Sequence, residues 1–391
     1  MTTRDHKSGL PPRGGRYERQ PGNFSAFIPA PLPPDPPVDM GDHLWGLLSD
    51  ADRALGRLDG ATEIVPNPDL FVFMYVRNEA VLSSQIEGTQ ASLIDLLEYE
   101  ADIRTADDPA DVEEVVNYVA AMRYGLQRLS TLPVSLRLIR EIHDRLLRGV
   151  RGAHRTPGEF RTTQNWIGAA GSTIATARFV PPPPHRVVDL MGQWEDFVHG
   201  QQRLPALVKV GLAHAQFETI HPFLDGNGRV GRLLITFLLC EAEILRWPSL
   251  YLSHYFKRHR TEYYDRLQAT RDAGDWEGWL AFFLRGVFEV SQEATRTARE
   301  IIRLREQHRS RIQTEFGQAA GAALVLLESL FGRPVLTVHH AAQATGLAYS
   351  SANRLVDRFV DAGILSEITG HRRNRRYRYE PYIDLFATRE E

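Results

Sequence analysis

Within twelve residues, His221-Pro222-Phe223-Leu224-Asp225-Gly226-Asn227-Gly228-Arg229-Val230-Gly231-Arg232, the chain gathers an imidazole, a carboxylate, two glycines beside an asparagine and two arginines three apart. His221 is the one member that exchanges a proton near neutral pH. Asp225 is a hard oxygen ligand suited to Mg²⁺, which takes one or two carboxylates and fills its shell with phosphate oxygens and water. If a helix begins near Asn227, residues 226 to 228 put backbone N–H groups at the positive end of its dipole, a ready anion site. Glycine lets a phosphate approach the backbone closely. Arg229 and Arg232 share a helix face and can both grip phosphate oxygens bidentately. The chemistry indicated is that of a polyphosphate bound with a divalent cation.

Taken singly, each member has an ordinary explanation. A histidine before proline is commonly a cap or core residue, Asp-Gly-Asn-Gly is a common turn composition, and helix arginines are usually solvated. Their density is what points to a site. The commoner nucleotide motifs do not compete, because no Gly-x-x-x-x-Gly-Lys-Ser/Thr run and no Rossmann glycine fingerprint is present.

The elements around the motif read as helices. Leu212, Ala213, Ala215, Phe217 and Ile220 precede it and Leu233, Leu234, Phe237, Leu238 and Leu239 follow, both at helical spacing, so the motif is a loop between two buried helices. Elsewhere the same periodicity predicts a mainly α protein. Helices are expected from Asp42, from Asn67-Pro68-Asp69 to about Glu87, and over 91–101, 110–129, 135–149, 186–199, 205–220, 227–243, 259–271 and 276–314. Two exceptions stand out. Residues 1–40 are rich in proline and suit an extended arm of polyproline type pinned by Phe24, Phe27 and Ile28, or a disordered tail at the start. Residues 161–168 and 173–180 are β-rich around Ala169-Ala170-Gly171-Ser172 and predict a β-hairpin closed by four prolines.

The last seventy residues change character. An apolar helix at 320–331 leading to Leu336-Thr337-Val338, the stretch Ala341 to Leu347 with a glycine turn, a helical stretch from Ser350 to Ala362 and two strand-like segments around a basic turn fit a winged helix-turn-helix. The expected domains are a Pro-rich arm (1–40), an N-terminal helical region (41–130), a catalytic core (131–315) and the winged helix (316–391).

Composition bounds the function classes. A net charge of −3 argues against a protein that coats nucleic acid or membrane along its whole surface, so any basic patch must be local. One cysteine, Cys240, excludes a disulfide framework and a multi-cysteine zinc site within one chain, and its apolar setting predicts a buried thiol. No apolar stretch has the length of a membrane span and no secretory leader is visible, so a reducing cytoplasm is expected.

Residues 221–232 match every fixed position of His-Pro-Phe-x-Asp/Glu-Gly-Asn-Gly-Arg-x-x-Arg, the signature of the Fic (Fido) family, which the chain resembles over roughly residues 25–300. The resemblance implies a helical core with a β-hairpin flap and Mg²⁺-dependent transfer of AMP from ATP to a Ser, Thr or Tyr hydroxyl of a target protein. It implies His221 as the base, Asp225 as the Mg²⁺ ligand and Gly226, Asn227, Gly228, Arg229, Gly231 and Arg232 around the phosphates, with Arg232 on the γ phosphate. His259 stands where related sequences often carry Asn near the adenine, with Tyr263 or Tyr264 as lining.

Ser83-Ser84-Gln85-Ile86-Glu87-Gly88 resembles the family's inhibitory pattern, placed N-terminal to the core as in class II members. That likeness implies Ser83, Glu87 and Gly88 as inhibitory residues, with Glu87 taking Arg232 from the γ phosphate. The bland alternative is a glutamate in the last turn of a surface helix. The 165–180 hairpin resembles the family's flap, where Ile167, Gly168, Thr173 and Ile174 would align a target segment by strand addition. A structural hairpin fits the sequence equally.

Two other functions use the same residues: removal of AMP from modified proteins at the same site, and a DNA-binding regulator that senses nucleotide. The basic run His371-Arg372-Arg373-Asn374-Arg375-Arg376 fits a wing on phosphate, with Ser350, Ser351, Asn353 and Arg354 early in the recognition helix; a protein-binding or dimer surface fits as well. The partners expected are therefore a target protein on the flap, DNA through residues 350–376 and a second copy of the chain, with no membrane.

Overall fold

The computed structural model describes residues 13–63, 68–101, 109–169 and 171–386. The first twelve residues of the arm, Asn67 and Ala170 lie outside them. In chain order the elements are β1 (Gly15–Gln20), β2 (Phe24–Pro29), α1 (Asp42–Glu63), α2 (Pro68–Ile86), α3 (Leu93–Glu100), α4 (Pro109–Leu129), α5 (Leu136–Leu146) and α6 (Pro184–His199). There follow α7 (Ala206–Ile220), α8 (Asn227–Glu241), α9 (Ser253–Arg258), α10 (Arg260–Ala273), α11 (Trp276–Glu315), α12 (Ala320–Gly332), β3 (Val335–Thr337), α13 (Val338–Thr345), α14 (Tyr349–Asp361), β4 (Ser366–Glu367), β5 (Arg376–Arg378) and α15 (Glu380–Ile383). The protein is mainly α, as its periodicity predicts.

By their contacts the residues form two compact units. One comprises residues up to Asp52, Ala120–Ala242 and Arg258–Gly286; the other comprises Arg53–Val119, Glu243–Lys257 and everything from Val287 on.

The first unit is built around α7, which is buried on all sides from Leu207 to Ile220 except at Lys209. Such a helix is stable only when surrounded. Two indoles tie its backbone: Trp194 Nε1–H donates to Ala213 O (2.8 Å) and Trp279 Nε1–H to Gly211 O (2.8 Å). Gly211 is required by proximity, because a Cβ there would lie 2.9 Å from Leu280 and 3.1 Å from Phe283. α5 starts on Ser135, whose Oγ accepts from Leu138 N–H, and buries Leu138, Ile139, Ile142, His143 and Leu146 along one face.

The N-terminal arm is not an extended polyproline strand. β1 and β2 pair antiparallel from Gly15 opposite Pro29 to Gln20 opposite Phe24, joined by a tight turn in which Gly22 (φ 95°) and Asn23 (φ 65°) supply the left-handed residues. Phe27 and Ile28 are buried, and Phe27 N–H donates to Val180 O (2.9 Å), so this hairpin is anchored by the pins expected of the arm.

The 161–180 stretch departs from its expectation too. Among its described residues only Ile167 and Phe179 form a β bridge, and the rest are loop and turn. Local side chains compete with a ladder here. Thr176 Oγ1 accepts from Thr173 N–H (3.0 Å), and Trp166 Nε1–H donates to Ser172 O (3.0 Å).

In the second unit, Tyr75 OH on α2 donates to Ala294 O (2.8 Å), while the Glu79 carboxylate accepts from Tyr118 OH (3.2 Å) and Ser253 N–H (3.1 Å). Arg77 pairs with Glu100 (2.6 Å) and Arg378 with Glu98 (2.6 Å), both largely buried. Its C-terminal part runs helix, strand, helix, helix, strand, strand, with a three-stranded antiparallel sheet ordered β3-β5-β4. A capping box of Thr337 and His340 starts α13, and Gly346 (φ 70°) ends it. Cys240 is half-buried rather than buried. No helix among the described residues is long and apolar enough to cross a membrane.

Candidate active site

Residues 221–232 join the end of α7 to the start of α8. α7 stops because His221 itself adopts the left-handed conformation (φ 51°, ψ 61°) while its N–H still donates to Phe217 O. A left-handed histidine is uncommon and persists where its surroundings over-determine it. Here Arg161 does so. Its Nε–H donates to His221 O (2.9 Å), its terminal NH2 group to Pro182 O (2.6 Å) and Ile220 O (3.3 Å), and its own N–H to Pro222 O (2.9 Å). Burial pulls the Arg161 guanidinium down to about 10, which leaves it cationic at neutral pH.

The loop is closed by its own amide. Asn227 Oδ1 accepts from Phe223 N–H (2.8 Å) and Asn227 Nδ2 donates to Phe223 O (2.9 Å), an oxygen that also accepts from Asn165 Nδ2 (2.8 Å). The Asn227 side chain is therefore committed to the loop, and what it offers a ligand is its backbone. Gly226 (φ 75°) turns the chain into α8, a conformation that only glycine adopts without strain. Val230 is the first residue of α8 to donate back, to Gly226 O (3.0 Å), so the first-turn N–H groups at Asn227 and Gly228 have no carbonyl ahead of them in the helix. Gly228 is half-buried where Gly226 and Asn227 are buried.

Beneath the loop sits a histidine that the motif alone does not reveal. His143 Nδ1 accepts from Gly158 N–H (2.8 Å), so Nε2 carries the proton and donates to Asp225 O (3.0 Å). The ring stacks on Phe223 at 3.7 Å and 6°. Burial pushes its pKa down to about 4, which keeps it neutral and in this tautomer. The signal for it lies in α5, where position 143 falls on the stripe of Leu138, Ile139, Ile142 and Leu146.

His214 is a second such residue. Its Nδ1–H donates to Gly231 O (3.0 Å), its Nε2 accepts from Tyr263 OH (2.9 Å), and burial holds it neutral at about 3. Tyr263 is thereby a core residue at 1% exposure, not the adenine lining expected of it. Tyr264 is half-buried, with the Arg260 guanidinium 5.8 Å from its ring.

Asp225 holds its carboxylate at the mouth of the loop, 37% exposed, with Oδ1 accepting from Gly226 N–H (2.6 Å) and lying 3.5 Å from Arg229. Gly152 (φ 90°) passes so near that a Cβ there would come within 3.0 Å of Asp225 Oδ2. One accessible carboxylate beside a phosphate-binding turn fits Mg²⁺, which draws the rest of its shell from phosphate and water. No cluster of three His, Cys, Asp or Glu side chains able to hold a metal occurs among the described residues. Arg229 and Arg232 are each 2% exposed. Gly231 faces α7, where a Cβ would lie 2.2 Å from Glu218 Oε1, so it is a packing glycine. His259 occupies the N-cap position of α10, its side chain makes no capping bond there, and it is half-buried.

The loop thus brings His221, Asp225, Gly228, Arg229 and Arg232 together on one frame. Ile167, Gly168, Thr173 and Ile174 lie in the 161–180 loop, with Gly168 and Thr173 exposed and the two isoleucines half-buried. Ser83, Glu87 and Gly88 belong to the second unit. Ser83 is fully buried near the end of α2, and α2 closes at Ile86, so Glu87 lies in the following turn rather than in the last helical turn. There Glu87 N–H donates to Ser84 O (3.0 Å), Gly88 N–H to Gln85 O (3.1 Å), and Gly88 takes φ 105°.

A fold of this kind around a His-Pro-Phe-x-Asp-Gly-Asn-Gly-Arg-x-x-Arg loop defines a class. Residues 45–127 match the Fic/DOC family N-terminal model and residues 133–239 the Fic/DOC family model, so the chain carries both of these domains. It is 32% identical over 176 residues to a protein adenylyltransferase Fic of Culex quinquefasciatus, a match covering 43% of this chain and 31% of that protein. A match to a probable protein adenylyltransferase of Aquifex aeolicus is 32% identical over 181 residues, 45% of this chain and 51% of the relative. The chain thus spans about a third to a half of the length of these curated relatives. Among solved structures, a Fic family protein from Desulfovibrio desulfuricans G20 superposes with a TM-score of 0.57 at 19% identity, covering 88% of this chain and 97% of that one, which establishes the fold.

Proposed function

We propose that the protein transfers AMP from ATP to a hydroxyl of a protein side chain, Ser, Thr or Tyr, with Mg²⁺ bound. The observation that carries this reading is the single frame that fixes His221, Asp225 and the first turn of α8 through the Arg161, Asn165, Asn227 and His143 hydrogen bonds. A loop held this firmly presents its donors without reorganising them, which is how electrostatic catalysis is obtained. The relatives named adenylyltransferases support the same reaction.

The half-buried Gly228 backbone and the two arginines would cradle the polyphosphate, with Arg232 on the γ phosphate. Asp225 would hold the Mg²⁺, which supplies charge neutralisation on the phosphates. His221 would take the proton of the target hydroxyl. The hydroxyl oxygen then bonds the α phosphorus while the bond from that phosphorus to the oxygen bridging to the β phosphate breaks, releasing pyrophosphate. His259 would lie towards the base, and the exposed edge at Gly168 and Thr173 would meet the target. Glu87, by its pattern with Ser83 and Gly88, would hold the activity down by competing with the γ phosphate for Arg232.

The test is transfer of label from α-labelled ATP to protein. Wild type is expected to be weak, Glu87→Gly to gain about tenfold or more, as suits loss of a charged hydrogen bond, and His221→Ala to be inactive. Equal labelling by all three would overturn the assignment.

A further inference from the structure

The basic run 371–376 is not absorbed by this function, and the structure gives it a defined setting within the second unit. The turn that carries it is ordered by Glu367, whose carboxylate accepts from Thr369 N–H (2.9 Å) and Gly370 N–H (3.0 Å). Asn374 takes a left-handed conformation (φ 55°), reversing the chain into β5. Arg375 then ties the turn to α14, donating to Asp357 Oδ1 (2.9 Å) and Asn353 Oδ1 (3.1 Å). Asn353 Nδ2 in turn donates to Asp357 Oδ2 (2.9 Å). The turn and the helix are therefore one braced assembly.

Between them lies an open groove of about 860 Å³, with Tyr349, Ser350 and Arg354 on the α14 side and Arg372 and Arg373 on the turn. Among the described residues no acidic side chain lines it, and the nearby Asp357 carboxylate is already paired with Arg375. The overall charge of −3 makes this a local concentration of positive charge.

α14 is held rigidly while it presents that face. Ala352, Leu355, Val356 and Phe359 are buried on its other side. The Arg358 guanidinium donates to Phe316 O (3.2 Å) and Glu315 O (2.9 Å) and sits 4.4 Å from the Phe316 ring. The outward residues of its first turns, Tyr349, Ser350 and Arg354, are exposed.

We propose that this face docks duplex DNA. A helix is about 10–12 Å across and enters a major groove about 12 Å wide, and arginine reads guanine bidentately there. Arg354 is the base-reading residue, with Ser350 and Tyr349 beside it. Arg372 and Arg373 neutralise backbone phosphates next to the groove, as a wing does, and release counterions. A membrane surface fits the face less well, because its one large exposed apolar side chain is Tyr349.

The test is fluorescence anisotropy of the full chain with duplexes selected from a randomised pool, over roughly 50–200 mM salt. Wild type is expected to bind with a steep salt dependence. Arg372→Ala/Arg373→Ala should weaken all duplexes alike and reduce the slope of log K against log salt by about 1.8, close to 0.9 for each phosphate no longer neutralised. Arg354→Ala should flatten the preference for the selected sequence roughly tenfold. Circular dichroism melts of both variants matching wild type exclude misfolding, since all three arginines are exposed. Three results would overturn the proposal: no binding by the folded full chain, variants that bind as wild type, or duplex binding no tighter than to single-stranded RNA or phosphatidylserine vesicles.

Discussion

The arginines of the 221–232 loop and those of the 371–376 turn have the same side chain in opposite settings. Arg229 and Arg232 are buried, on a backbone fixed by hydrogen bonds from two other segments, α5 and the 161–180 loop. Arg372 and Arg373 are exposed, on a turn braced mainly by the Arg375 ion pair. A buried cation must be matched by preorganised partners, and the same burial leaves it little screened by salt. An exposed one costs the fold almost nothing and acts through counterion release. One arrangement suits a small polyphosphate held in a single geometry, and the other suits an extended polyanion met by surface charge.

The comparison breaks first, and most severely, at Arg161. Arg161→Ala removes the donor to the carbonyls of Pro182, Ile220 and His221. Unsatisfied buried carbonyls cost about 1–3 kcal/mol each, so the melting temperature should fall by roughly 10 °C and adenylyl transfer should vanish. A melt within about 2 °C of wild type would show that the clamp does not hold the loop.

A smaller loss is expected at His143. Phenylalanine can keep the stacking on Phe223 but drops both the bond from Gly158 and the bond to Asp225, for about 2–3 kcal/mol. Glutamine can both accept and donate, so His143→Gln should recover part of the stability and of the Mg²⁺ affinity. Urea unfolding and Mg²⁺ titration of the transfer reaction read the two effects. Indistinguishable Phe and Gln variants would reduce His143 to a filler.

The same residue gives a pH dependence. An unfolded histidine titrates near 6.5 and folded His143 near 4, so the unfolded chain takes up the proton first. The stability it contributes is present in full above pH 6.5 and is lost as pH falls towards 4, by at most about 3 kcal/mol. Wild type minus His143→Gln should show this difference between pH 7 and pH 4.5, and a difference that is constant with pH would contradict it. The smallest effect belongs to the exposed pair: Arg372→Ala/Arg373→Ala should leave unfolding within about 0.5 kcal/mol of wild type.

Much of this was legible in the sequence because local chemistry and long-range packing agree there. The apolar runs that flank residues 221–232 are α7 and α8, and Gly226 turns the chain where its glycine implied. The C-terminal helices and strands also fall where their periodicity places them. What the sequence hid came from partners distant along the chain. Arg161 has no neighbour in sequence that marks it, yet it holds carbonyls about 20 and 60 residues away. The prolines of the arm masked the Gly22-Asn23 turn that closes β1 onto β2. Threonine and tryptophan side chains bond the backbone of the 161–180 loop, so β propensity there did not become a ladder. The asparagine and last glycine of the motif read as ligand contacts, and the structure uses the side chain of Asn227 and the bare Cα of Gly231 for packing and closure.

The central claim is that the buried frame around His221 performs adenylyl transfer. Its most direct test is intact-protein mass spectrometry of a lysate treated with ATP and either the Glu87→Gly protein or its His221→Ala double variant. The account predicts proteins heavier by one AMP on a Ser, Thr or Tyr with the first and none with the second. Equal AMP addition with both, or none with either folded protein, would contradict it.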